Sequence, residues 1–337
     1  MKYSGGFCVQ IQLSSMQLTD PQISHKRKPT MRVLNIQHLT TYRYANPVTF
    51  GDHRMMLRPR GSHDLRLLST RLDITPQPNA IRWMHDVFGN SVAVVSFNAS
   101  ANELRIESEI ELEHYETHEP DCPIEQYAET YPFSYSADEV PDLMRSIERH
   151  YPDPKHEVDL WAKRFVQISG ATNTLAMLTA MTHAIKDQGF QYAARANEGC
   201  QPPDETLRLK SGSCRDFALL MIEAARSLGL AARFVSGYLY IPAADQNGNV
   251  GGGETHAWVE VYLPGAGWME FDPTNAIVGN RDLIRVAVVR DPKQAVPVAG
   301  SFIGAAGDYL GMQVDVRVTS PDLKPLTPQA AASVVSR

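Results

Sequence analysis

From Cys214 to Leu228 the apolar residues Phe217, Ala218, Met221, Ala225 and Leu228 recur at helical spacing, and after Gly229 the period drops to two. Segments 233–241, 256–263 and 268–272 keep that alternation, so one helix runs into a meander of strands. Two further helices are expected upstream. Residues 156–168 place Val158, Trp161, Phe165 and Ile168 on one stripe, and 172–188 is rich in Ala, Leu and Met. Helices first and strands second predict an α+β unit, helices packed on an antiparallel sheet.

Residues 31–115 read differently. Short strands are expected at 32–44, before the Asn46-Pro47 turn signal, at 67–74, at 92–97 and at 106–112. In the last, Ile106, Ile110 and Leu112 share one face while Glu107, Glu109 and Glu111 alternate on the other. This predicts an antiparallel β-sandwich-like domain with one wet face. Six prolines between Pro120 and Pro154 make 116–155 a wrapping linker. The partition expected is therefore 1–30 as a disordered extension, 31–115 β-rich, 116–155 linker, 156–305 core, and 306–337 a strand and disordered tail.

A chain of 337 residues has room for about two such domains. With 43% hydrophobic residues and net charge -6, it is neither a disordered chain nor a general binder of nucleic acid or membrane surfaces. No apolar run reaches the roughly 18 residues of a spanning helix. Cys8, Cys122, Cys200 and Cys214 are too scattered for a disulfide framework, which points to a reduced, cytoplasmic setting. Oligomeric state has no signature here.

The chemistry concentrates at Ser213-Cys214-Arg215-Asp216. Ser213 suits an N-cap and Asp216 completes an acidic capping box, which puts Cys214 in the first turn of its helix. Unpaired amides and the positive dipole end favour an anion there, so a cysteine ionises more readily and an acyl oxyanion finds donors. Taken alone, a buried core cysteine explains the position equally well.

His256 opens one strand and Asp272 ends the next, and register decides whether they meet. A two- or four-residue connection would put Asp272 on the face opposite His256. A five-residue connection, Leu263 to Gly267, pairs Tyr262 with Trp268 and Trp258 with Asp272, and His256 and Asp272 then sit diagonally on one face, backbones about 7–8 Å apart. Gly267 suits the left-handed position of such a loop. The odd register is the expectation. Asp272 would then orient His256, which would exchange a proton with Cys214.

The run Gly212-Ser213-Cys214-Arg215-Asp216-Phe217-Ala218, then 229–238, Thr255-His256-Ala257-Trp258 and Phe271-Asp272-Pro273-Thr274-Asn275, resembles the transglutaminase-like superfamily. Residues 31–115 are similar to the β-rich region that precedes this core in a bacterial subgroup. The resemblance implies a papain-like core with Cys214 as nucleophile, His256 as base and Asp272 as orienting acid. Arg215 departs from the subgroup's usual Gln, and either adds charge beside the thiolate or points to solvent. Tyr192 is the side-chain candidate for an oxyanion donor.

The implied activity is acyl transfer from a peptide or protein amide. Water as acceptor makes a peptidase or amidase, the favoured reading, and an amine makes a transglutaminase. A non-catalytic binding module is the competing class, disfavoured by the intact Cys, His and Asp set. This chemistry needs no cofactor and no metal. His114, Glu116 and His118 could share a strand face as zinc ligands, but lack a fourth partner. Cys200 reads as a free surface thiol. Residues 244–253, with Gly251-Gly252-Gly253, suit a mobile loop beside the cleft, and Lys26-Arg27-Lys28 is too short for nucleic acid.

Overall fold

The computed structural model describes residues 31–116, 123–193, 199–242, 253–305 and 307–321. Expectations for 1–30, Cys8, Cys122, His118, most of 244–253 and the 322–337 tail fall outside these. Strands β1 (Met31–Phe50), β2 (His53–Met55), β3 (Leu65–Thr75), β4 (Ala80–His85), β5 (Ser91–Ser96) and β6 (Ser100–Tyr115) come first. Helices α1 (Val140–Ile147), α2 (Glu157–Lys163), α3 (Thr174–Asp187), α4 (Pro203–Leu209) and α5 (Cys214–Ser227) follow. Then come β7 (Ala232–Leu239), β8 (His256–Leu263), β9 (Gly267–Asp272), β10 (Leu283–Val289) and β11 (Tyr309–Thr319).

The first sheet runs β3–β6–β1, and β11 and the short strand Phe302–Ile303 both pair with β1. The second runs from Val298–Ala299 through β2 and β5 to β4. Val48, Phe50, Met55, Val95, Leu104 and Ile106 fill the space between them. β6 alternates as expected, with Ile106, Ile110 and Leu112 buried and the glutamates half-buried. Asn46-Pro47, expected to end a strand, does not end β1. A register shift between Arg43 and Val48 takes up the proline, which has no N–H for the ladder. Ala45 N donates to Asp308 O and Asn46 Nδ2 to Asp308 Oδ1, both at 2.8 Å.

The segment 116–155 is more than a wrapping linker. It contains α1, whose Pro141 sits in the first turn, where a missing N–H costs nothing, and whose Leu143 is buried. Tyr135 accepts from Ala231 N at 2.8 Å and donates to Tyr262 O at 3.0 Å, pinning the segment to the core. α4 likewise starts on a proline pair and was not expected from periodicity.

The core sheet is antiparallel in the order Ile277–Val278, β9, β8, β7, β10. α5 packs on it, and only Arg215 and Ser227 of this helix escape burial. Such a helix is apolar almost all round because it is enclosed on every side. Met56 and Val92 of the sandwich join the apolar cluster around α5. Leu34, Ile36 and Leu112 pack with Tyr238, Ile284 and Val286. Apolar contacts therefore cross freely between the β-rich region and the core. Among the described residues no helix is long and apolar enough to cross a membrane.

Candidate active site

Cys214 begins α5 directly after Ser213, whose N–H donates to Asp216 Oδ2 at 2.8 Å and whose hydroxyl donates to the same atom at 2.9 Å. Asp216 Oδ1 takes Gln201 N at 2.6 Å. The fully buried Asp216 thus fixes the loop that delivers Cys214. Gly212 is required here, since a Cβ on it would come within 2.8 Å of the Asp216 Cβ.

Register brings the next two residues together. Tyr262 pairs with Trp268 as expected, but Leu263 also pairs with Gly267, at φ +78°, so the odd connection is 264–266 and shorter than the five residues expected. His256 Nε2 lies 2.8 Å from Asp272 Oδ2. Asp272 is clamped further: Oδ1 accepts Thr274 N at 2.9 Å, and Oδ2 accepts Asn275 Nδ2 at 2.9 Å. Burial by itself would lower the His256 pKa, but the Asp272 carboxylate overrides it and holds the imidazole up to about 10. Burial would raise Asp272, and the facing imidazolium with the three donors holds it below its ordinary value.

Cys214 neighbours the same ring. His256 Nδ1 is buried and has no hydrogen bond of good geometry, yet Cys214 is near enough to raise the ring's pKa further. Tyr192 sits on the same sulfur. Burial, the neighbouring Cys214 and Glu254 raise its pKa, and its hydroxyl is in hydrogen-bonding range of the thiol. A two-residue parallel pairing places it there, Tyr192 opposite Gly212 and Gln191 opposite Ser211. Cys214, His256, Asp272 and Tyr192, far apart in the chain, form one cluster.

Comparison with known proteins follows this geometry. Residues 34–113 match the bacterial transglutaminase-like N-terminal region, and residues 162–273 match the transglutaminase-like superfamily. The chain is a transglutaminase-like superfamily protein. An uncharacterised Mycobacterium leprae protein is 24% identical over 84% of this chain and 98% of its own length. A protein-glutamine gamma-glutamyltransferase of Pseudomonas aeruginosa is 31% identical over 32% of this chain and 16% of its own. The solved structure of a candidate cysteine protease from Cytophaga hutchinsonii aligns with TM-score 0.65 at 20% identity, covering 88% of this chain and 93% of that one. That likeness is one of fold.

The transglutaminase-like site holds residues to which the sequence assigned no role. Asn275 bridges both partners of the pair, its Nδ2 also 3.4 Å from His256 Nε2. The signal was present in Asp272-Pro273-Thr274-Asn275, where an amide three residues after the acid can fold back on it. The Trp258 ring stacks on His256 with centroids 6.0 Å apart. Gly237 lies opposite His256 in the sheet, and a Cβ on it would meet Ile284 O at 2.1 Å and the Trp258 ring at 2.6 Å. Arg215 takes neither expected position. Its guanidinium donates to Pro292 O at 2.7 Å and Ala295 O at 3.4 Å and lies over the Phe234 ring. It ties α5 to the 292–295 turn and also hydrogen-bonds Cys200, which is half-buried and not a surface thiol.

A buried ionic cluster borders the site. Glu260 and Glu270 pair directly across β8 and β9. Arg285 donates to Glu270 Oε1 at 2.9 Å and to both oxygens of Asp64 at 2.6 and 2.7 Å. Arg233 Nε lies 2.5 Å from Glu260 Oε2. Burial lifts Glu270 to about 7 despite Arg285. Asp64 would rise with burial too, but Arg285 and hydrogen bonds from Ser62 and Asn280 pull it to about 2. Because Asp64 belongs to the loop before β3, this cluster joins the sandwich to the site strands. His114 and Glu116, weighed as zinc ligands, are buried near it, and Glu116 pairs with Arg32 at 2.8 Å.

Proposed function

We propose that this protein is a cysteine-dependent acyl-transfer enzyme that hydrolyses a peptide or protein amide through a thioester on Cys214, with His256 and Asp272 completing a triad. The observation that carries the reading is the buried His256 ring, tied at Nε2 to a clamped carboxylate and close to a thiol at a helix N-terminus.

With the imidazolium favoured at neutral pH, the thiolate attacks the amide carbonyl carbon and the carbonyl electron pair moves to oxygen. The first-turn amide of α5 and the Tyr192 hydroxyl supply donors to that oxyanion. Its collapse breaks the C–N bond, and the departing amine takes the proton from His256 Nδ1. The neutral ring then removes a proton from water, hydroxide adds to the thioester, and Sγ leaves as thiolate with His256 reprotonated. Asp272 keeps the ring oriented throughout and stabilises its charge. No cofactor enters these steps.

Hydrolysis is the favoured reading, supported by two polar residues near Cys214, Tyr192 and Glu254, that are exposed to water. A transglutaminase reading, in which an amine replaces water, is supported by the Pseudomonas aeruginosa relative. Cytoplasmic action belongs to the same proposal, supported by the free thiols of Cys200 and Cys214. Cell fractionation tests that assignment.

Mass spectrometry after iodoacetamide treatment at pH 6 tests the site. Selective labelling of Cys214 that disappears in His256→Ala supports it, whereas equal slow labelling of all cysteines in the wild type would favour a binding module. Glutamine-containing peptides, incubated with and without an added amine, then separate hydrolysis from transfer.

A further inference from the structure

The second sheet of the sandwich ends at β4, and all six residues of that strand are exposed. Trp83 is 45% exposed, Ile81 40% and Met84 37%. Among the described residues no strand pairs with the outer edge of β4. A free, apolar strand edge is ordinarily blocked by the protein's own structure. Beside it lies a cavity of about 390 Å³ lined by Trp83, Met84 and His85 of β4, Ser91 of β5 and Leu67 of β3, the edge of the other sheet.

The rest of the lining is cationic. Arg58 lies over the Trp83 ring, 5.5 Å from its centroid, and Arg60 donates to the carbonyls of Phe88 and Gly89 at 3.3 and 3.2 Å. Neither arginine pairs with a carboxylate among the described residues. A neighbouring cavity shares Arg58 and Leu67 and adds His63 and Arg66, the latter 3.5 Å from Glu113. No Asp or Glu lines either cavity, in a chain with net charge -6.

We propose that this edge binds an extended acidic peptide, which adds a strand to β4, sets carboxylates against Arg58 and Arg60, and packs an apolar side chain on Trp83. A strand edge offers alternating backbone donors and acceptors, the pattern of another peptide. The arginine pair then selects acidic sequence, because a basic segment would leave both guanidinium groups facing like charge. Residues 1–30 of this chain are a poor occupant, since their charged side chains are Lys2, Asp20, Lys26, Arg27 and Lys28. Nucleic acid satisfies the arginines but leaves the backbone edge unused. The inference goes beyond the acyl-transfer reading and does not depend on it.

Fluorescence anisotropy of the full chain with a short labelled peptide alternating Glu and Val tests it. Saturable binding is expected, weakened about tenfold or more by Arg58→Glu with Arg60→Glu and lowered by salt. The milder pair Arg58→Gln with Arg60→Gln, confirmed folded by its thermal melt, weakens it in the same direction. Trp83→Ala weakens it as well. The same peptide with alternate backbone nitrogens methylated loses binding at unchanged charge. The proposal is overturned if the peptide does not bind, if a Lys-Val peptide or the methylated peptide binds equally well, or if a single-stranded RNA outcompetes it. Iodoacetamide labelling of Cys214 is independent of every one of these readouts.

Discussion

Helix α5 and strand β4 both carry large apolar side chains and end in opposite surroundings. α5 is enclosed by helices on one side and the core sheet on the other, so its polar residues Asp216, Glu223 and Arg226 are buried and each is held by hydrogen bonds or an ion pair. β4 has a neighbour along one edge alone, and Trp83 and Met84 stay in solvent beside a half-buried Arg58 and an exposed Arg60. Enclosure makes a polar group's charge depend on its partners, which chemistry at a carbonyl needs. Openness leaves charge and backbone free for a partner from outside.

The contrast breaks first at Cys214. Cys214→Ser is expected to lower amide turnover by about 10⁴-fold or more while the melting temperature hardly moves. Residual turnover within tenfold of wild type would remove α5 from the chemistry altogether.

Asp272→Asn is expected to cost roughly 10³–10⁴ in rate, because the ring loses both its orientation and its counter-charge. It also sharpens the electrostatic side. The folded His256 holds its proton up to about 10, against 6.5 for a free imidazole. Between those values the folded state binds more protons than the unfolded one, so this contribution to stability is complete below pH 6.5 and fades as pH rises towards 10. Urea titrations across that window should show the fall in wild type, with a much flatter profile for Asp272→Asn.

A smaller effect is expected where backbone packing supports the site. Gly237→Ala drives a methyl into Ile284 O and the Trp258 ring and should destabilise by roughly 1–3 kcal/mol in urea unfolding. The smallest is on the other side of the comparison. Trp83→Ala should change stability by less than about 0.5 kcal/mol and leave amide turnover intact, because the ring is 45% exposed and the Arg58 guanidinium over it is itself only half-buried. A large loss of stability there would mean that β4 is part of the enclosed core after all.

Much of the site was legible in the sequence because it is written in local rules. Ser213 and Asp216 mark the start of α5, and an odd connection with Gly267 at its left-handed position sets the register that joins His256 to Asp272. The β6 alternation marks a half-wet sheet in the same way. The misses have a common cause as well. Pro141 reads as part of a linker, yet it opens a helix, as Pro203 does in α4, since the first turn tolerates a missing N–H. Asn46-Pro47 reads as a turn, yet a bulge and Asp308, some 260 residues away, carry the strand through.

Residue order alone therefore determined the α+β class, the position of Cys214 at a helix start and the diagonal placement of His256 and Asp272, all consequences of spacing within one element or one hairpin. Long-range packing decided the remainder. Arg215 turns to the 292–295 carbonyls, Tyr192 reaches the thiol through a two-residue parallel pairing, and Arg285 links Asp64 of the sandwich to Glu270 beside Asp272. Long side chains such as these reach whichever partner the fold brings within a few ångströms, and burial then makes that partner decisive. No periodicity in the chain encodes that meeting.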